Sequence, residues 1–124
     1  MQKLIFKPQT EWLPPEDFPD LSKYDEIGID LETRDPDLTK MGSGAIIGKG
    51  EVVGIAVAVE GWCGYYPIAH GGGGNMDKTM VLKWFQDVLN TPSKKVFHNA
   101  MYDVCWIRAM GLKINGQIID TMIA

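Results

Sequence analysis

The stretch Tyr24-Asp25-Glu26-Ile27-Gly28-Ile29-Asp30-Leu31-Glu32-Thr33 decides how the chain is read. Ile27, Ile29 and Leu31 alternate with Gly28, Asp30 and Glu32, which is the period of a strand with one apolar face and one polar face. Asp30 and Glu32 are separated by a single residue, so both carboxylates leave the same face of the strand. A shared site for hard cations needs that closeness. A solvated strand end explains most pairs of this kind. Here an apolar strand leads into the pair, and Gly28 opens the same face to close backbone approach.

Beyond Thr33, Pro36 and several glycines predict a long loop or irregular hairpin up to Gly50. The Val/Ile/Ala run from Glu51 to Glu60 predicts a buried strand, and Cys63 to Ile68 predicts a third. Gly71 to Gly74 break regular structure, and Asn75 or Asp77 can cap the helix that follows. In that helix Val81, Trp84, Phe85, Val88 and Leu89 share one face, and Pro92 stops it soon after Asn90. A short strand is expected over Lys95 to His98, then a largely buried helix from Asn99 to Met110 ended by Gly111. A last strand is expected over roughly Leu112 to Ile119, leading to Asp120. Upstream, Pro8, Pro14, Pro15 and Pro19 run through Trp12, Leu13 and Phe18, which predicts an extended leader over residues 1–23 ahead of one domain over residues 24–124.

Three hairpin-linked strands followed by helix, strand, helix, strand predict an α/β fold. Its mixed sheet is antiparallel at one side and parallel at the other. Ribonuclease H-like domains share this order, although pattern alone leaves other α/β orders open.

With 124 residues, 45% of them hydrophobic, the chain can bury one core. Met1 to Lys7 lack an apolar run of the kind a signal peptide or membrane span needs, which predicts a soluble intracellular protein. Cys63 and Cys105 stand far apart with no ligand spacing, so they are expected as buried thiols and not as a zinc site or disulfide. A net charge of −4 argues against a broad basic surface for nucleic acid. Two divalent cations would offset that charge and place positive charge where a phosphate sits.

A second constellation, His98-Asn99-Ala100-Met101-Tyr102-Asp103, falls at a strand-to-helix transition. Asn99 and Asp103 are four apart and share a helix face, so a third carboxylate becomes available at the sheet's carboxyl edge. Capping and the helix dipole account for both residues equally well. Neither Gly71 to Gly74 nor the glycines at 42, 44 and 48 match a phosphate loop. His70 reads as a turn or sheet-edge residue and Tyr102 as core.

Ile27-Gly28-Ile29-Asp30-Leu31-Glu32-Thr33 resembles the first motif, D-x-E-T, of the DEDD superfamily of 3′ to 5′ exonucleases. His98 to Asp103 resembles the second motif, N-x-x-(F/Y)-D. Tyr66-Pro67-Ile68-Ala69-His70 and Ile119-Asp120-Thr121-Met122 resemble the P-I-x-H and D-T-M segments of the proofreading domain of family A DNA polymerases. Pro14-Pro15 and the Gly-rich patch ending at Asn75 look closest to the phage members.

The resemblance implies a ribonuclease H-like fold in which Asp30, Glu32 and Asp103 hold two Mg²⁺ or Mn²⁺ ions about 4 Å apart. Asp30 would bridge both ions, Glu32 would bind the one carrying the nucleophile and Asp103 the other. Thr33 and Asn99 would contact the terminal nucleotide, and Asp120 would cap the next helix. The implied partners are a single-stranded DNA 3′ end and a polymerase domain of the same or a companion chain, in a bacterial or phage-infected cytoplasm and away from membranes. Family members carry a third motif, Y-x-x-x-D or H-x-x-x-D, on a later helix. The sequence reaches Ala124 before it, so the domain is expected to be C-terminally incomplete, with three of four carboxylates and no water-orienting residue. A ribonuclease D-like RNA exonuclease, or a non-catalytic nucleic-acid-binding module of the same fold, are the competing readings.

Overall fold

The computed structural model describes residues 17–122, so most of the leader expected over residues 1–23 lies outside the described residues. In chain order the elements are β1 (Glu26–Arg34), α1 (Leu38–Met41), α2 (Gly44–Ile47), β2 (Glu51–Val59), β3 (Trp62–Pro67), α3 (Lys78–Asn90), β4 (Lys94–Phe97), α4 (Ala100–Ala109) and β5 (Ile118–Asp120). The strands form one sheet of order β3-β2-β1-β4-β5. β2 runs antiparallel to β1 and β3, while β4 is parallel to both β1 and β5. This is the α/β mixed sheet of ribonuclease H-like domains, with β1 at its centre.

Hydrophobic alternation gives the sheet two unlike faces. Ile27, Ile29 and Leu31 of β1 join Ile55, Val57, Tyr66 and Phe97 in one core that also takes in Val81, Trp84, Phe85, Val88 and Leu89 of α3 and Ala100, Trp106 and Ile107 of α4. On the other face Gly28, Ala58 and Val96 line an open groove. Burial of the α3 side chains is worth roughly 1.5–3 kcal/mol each, which outweighs the weak intrinsic preference of any one residue for helix. The β2–β3 hairpin pairs Val59 with Trp62, and Gly61 in the turn between them adopts φ 86°, a conformation open to glycine at little cost.

The described end of the leader is anchored as its apolar residues suggest. Phe18 stacks on Tyr66 at 5.6 Å, Trp84 Nε1 donates to the Pro19 carbonyl at 2.8 Å, and the Tyr66 hydroxyl donates to the Asp17 carbonyl at 3.0 Å.

Several expectations need correction. The link from Thr33 to Gly50 is not plain loop. β1 runs on to Arg34, and α1 and α2 follow, because both carboxylate oxygens of Asp35 accept the Gly44 N–H at 3.0 Å and pin the start of α2. The last strand is three residues long and does not start at Leu112. Residues ahead of it bond along the end of α3 instead. Gln86 receives the Lys113 N–H and donates to the Lys113 carbonyl, and the Asn115 N–H reaches the Leu89 carbonyl. Cys63 is exposed and Cys105 half-buried, since Cys63 stands on the open face. Lys95 is fully buried on the core face. Its Nζ donates to the carbonyls of Thr91 and Ser93, the latter at 2.8 Å, and burial lowers its pKa.

Candidate functional site

β4 pairs with β1 only over Glu26, Ile27 and Gly28, so beyond Gly28 that edge of β1 is left to the start of α4. There Asp103 is buried, 4% exposed. It accepts a hydrogen bond from the Leu31 backbone N–H, yet its Oδ2 has no partner within the described residues. Burial is the main force pushing its carboxyl up to about 7, the nearby charge of Asp30 adds to it, and the Leu31 bond opposes both. Two carboxylates from separate elements therefore act on each other through their charges, and one carries an unsatisfied buried acceptor. Such atoms are rare and call for an explanation.

The turn into α4 is built by residues distant in sequence. Asn99 has φ 71°, and no other described non-glycine residue has a positive φ. Its side chain makes no capping bond. The carboxylate of Asp120 caps α4 instead, accepting the N–H groups of Asn99 and Ala100, each at 2.9 Å. Asp120 also receives the Met122 N–H at 2.9 Å, so its role goes beyond the cap of a following helix that the resemblance implied. These backbone bonds, that from Ala100 foremost, hold its carboxyl below the usual range. Asn99 is left exposed with its amide uncommitted to capping, in a conformation that Asn tolerates better than most residues.

Glu32 is exposed and shares the polar side of β1 with Asp30. Its Oε1 accepts the Tyr65 hydroxyl and lies 3.5 Å from His70 Nε2. Burial first, then the Glu32 bond and the Glu32 and Asp30 charges, raise the Tyr65 phenol, which remains a donor at neutral pH. Thr33 is engaged as well: its Oγ1 lies 2.9 Å from the Tyr102 hydroxyl, which donates to Asp35 Oδ2 at 2.7 Å. Tyr102, expected as core, is half-buried and ties α4 to the end of β1.

The structure thus brings Asp30 and Asp103 together and holds Glu32 towards β3. As the side chains stand, no group of three or more His, Cys, Asp or Glu among the described residues could hold a metal ion. The donor chemistry still suits a hard cation. Asp103 Oδ2 is a buried acceptor lacking a donor, in a carboxyl that already feels the charge of Asp30, and a cation would satisfy the one and neutralise the other. Tyr65, Asp35 and the true partner of His70 escaped the sequence reading. Alternation places Tyr65 and Glu32 on outward faces, but only strand register tells that those faces meet.

No family model matches the chain. Over 83 residues it is 40% identical to a DNA-directed DNA polymerase of Pseudomonas phage M6, an alignment that takes in 62% of this chain and 12% of that polymerase. The chain therefore spans about an eighth of the length of this relative. The class defined by fold and comparison is a ribonuclease H-like α/β domain similar to part of a phage DNA polymerase.

Proposed function

We propose that the chain is a 3′ to 5′ exonuclease domain of the proofreading kind, in which Asp30, Glu32 and Asp103 hold two Mg²⁺ or Mn²⁺ ions. The observation that carries this reading is the unpartnered, buried Oδ2 of Asp103 beside Asp30. Similarity to a phage DNA polymerase supports DNA as the substrate and a polymerase domain as the partner. Bound divalent ions of this kind would lower the pKa of a water and stabilise a leaving 3′ oxygen.

The chain's own residues do the rest. Asp30 and Asp103 would hold and neutralise the cations, and Glu32 would add to the set the oxygen that Tyr65 leaves free. Asn99, and Thr33 once its hydroxyl turns from Tyr102, hydrogen-bond the terminal nucleotide. A frayed single-stranded 3′ end suits the site, because an unpaired nucleotide costs least to bring in. No helix among the described residues is long and apolar enough to cross a membrane. We place the protein in the cytoplasm of a bacterial cell during phage infection.

Calorimetric titration with Mn²⁺ tests the site. The wild-type chain should bind, and the pair Asp30→Ala with Glu32→Ala should abolish binding while leaving the fold intact, since neither side chain belongs to the buried core. Equal affinity in both proteins rules the site out. A 5′-labelled single strand should shorten stepwise with Mn²⁺, and equal rates on RNA and DNA would move the reading to an RNA exonuclease.

A further inference from the structure

Glu32 does not leave the sheet as a free side chain. Its neighbour across β1 and β2 is Gly54, and Gly54 lies opposite Pro67 of β3. A Cβ at Gly54 would stand 1.8 Å from the Tyr65 hydroxyl oxygen. The missing side chain thus lets the Tyr65 ring lie across β2, so that its hydroxyl spans from β3 to β1 and donates to Glu32 Oε1. Glycine inside a strand weakens it and often marks such a close approach.

A second partner sets the direction of the chain. His70 Nε2 lies 2.6 Å from the Tyr65 oxygen. The phenol has one proton, which goes to Glu32, so the imidazole must carry its proton on Nε2 and donate to the phenol oxygen. His70 is itself clamped. Asn75 Oδ1 accepts its backbone N–H at 2.7 Å and Asn75 Nδ2 donates to its carbonyl at 3.0 Å, closing the loop of Gly71 to Gly74. The Glu32 side chain, 58% exposed, needs no such partners to be solvated, so what Tyr65 and His70 supply is orientation.

We propose that Tyr65 and His70 are positioning residues for Glu32, occupying its Oε1 so that Oε2 is the oxygen presented to a divalent cation. This inference rests on the metal-dependent reading given above. Partners that orient a metal-binding side chain fix its geometry, and their loss commonly weakens binding by 10- to 100-fold.

The test is Mn²⁺ titration of the whole 124-residue chain, with Asp30→Asn as reference and circular dichroism to confirm folding. Tyr65→Phe should bind about tenfold more weakly, and Gly54→Ala, which displaces the ring, should match it. His70→Ala should also lose affinity, whereas His70→Gln, whose amide can still donate to the phenol, should restore most of it. In the metal-free protein, long-range ¹H–¹⁵N spectra should show His70 protonated on Nε2. Tyr65→Phe binding as well as or better than wild type, while Asp30→Asn binds poorly, overturns the positioning role and leaves the metal site standing. An Nδ1-protonated His70 also overturns it. Asp30→Asn binding as well as wild type overturns the metal site and this inference with it. If Tyr65→Phe fails to fold, the comparison of His70→Ala with His70→Gln decides, equal affinity in the two going against the proposal.

Discussion

α3 and α4 both pack on the core face of the sheet, yet they begin in opposite ways. α3 opens with its own cap: the Asp77 side chain accepts the Met80 N–H at 3.1 Å. Its buried residues are all apolar. α4 opens on Asn99 in a left-handed conformation, takes its cap from Asp120 on β5, and buries a carboxylate, Asp103, among its apolar contacts. A helix that only has to hold a sheet can be specified by its own residues. One that must deliver a charge to the edge of a neighbouring strand has to be held from outside and carries an electrostatic cost.

The largest effect should come from removing that cost. Asp103 has a folded pKa near 7, above the ordinary carboxylate range, so the folded state binds its proton more tightly than the unfolded state. Its contribution to stability is therefore complete below the ordinary carboxylate range and is lost as pH rises through about 7. Asp103→Asn is neutral throughout and keeps an acceptor for Leu31. Urea unfolding should find the variant more stable than wild type at pH 8 by on the order of a few kcal/mol, and the gap should close by pH 4. The same variant should lose Mn²⁺ binding. A gap independent of pH would mean that no charge is buried at this position.

The two caps offer a direct comparison of the helices. Asp120→Ala strips the acceptor from three backbone N–H groups and uncouples β5 from α4, so it should lower the melting temperature more than Asp77→Ala. The latter should cost about 1 kcal/mol. Hydrogen exchange should speed up at Met80 in the Asp77 variant, and at Asn99 and Ala100 in the Asp120 variant. Equal losses would mean that α4 starts as locally as α3 does.

The smallest effect on stability should be that of Asn99→Gly. Glycine takes the left-handed conformation at least as readily, so stability should move by only a few tenths of a kcal/mol. Turnover on a single-stranded DNA end should fall if the amide contacts the nucleotide. A loss above about 1 kcal/mol would make Asn99 a structural residue instead.

Much of the sheet was legible because its signals are local. β1, β2 and β3 follow from alternation or unbroken β-branched runs, and α3 from its apolar stripe between Asp77 and Pro92. The segment from Leu112 to Gln117, expected as part of the last strand, is not strand. What decided its structure was the side chain of Gln86 and the carbonyl of Leu89, both on another element. Lys95 shows the same limit. No sequence pattern predicts a buried lysine, which is tolerated here because the Thr91 and Ser93 carbonyls receive its protons.

The sequence by itself determined that Asp30 and Glu32 stand on one side of a strand and that Asp103 lies one turn into a helix, since both follow from the repeat of a single element. Only the tertiary structure decided what those carboxylates meet. Asp103 reaches the Leu31 N–H and feels the charge of Asp30 because β4 stops pairing with β1 at Gly28, and Glu32 meets Tyr65 and His70 because strand register sets a glycine between them. Pairing register and the end of a strand ladder are set by contacts between elements, and no repeat within one segment encodes them.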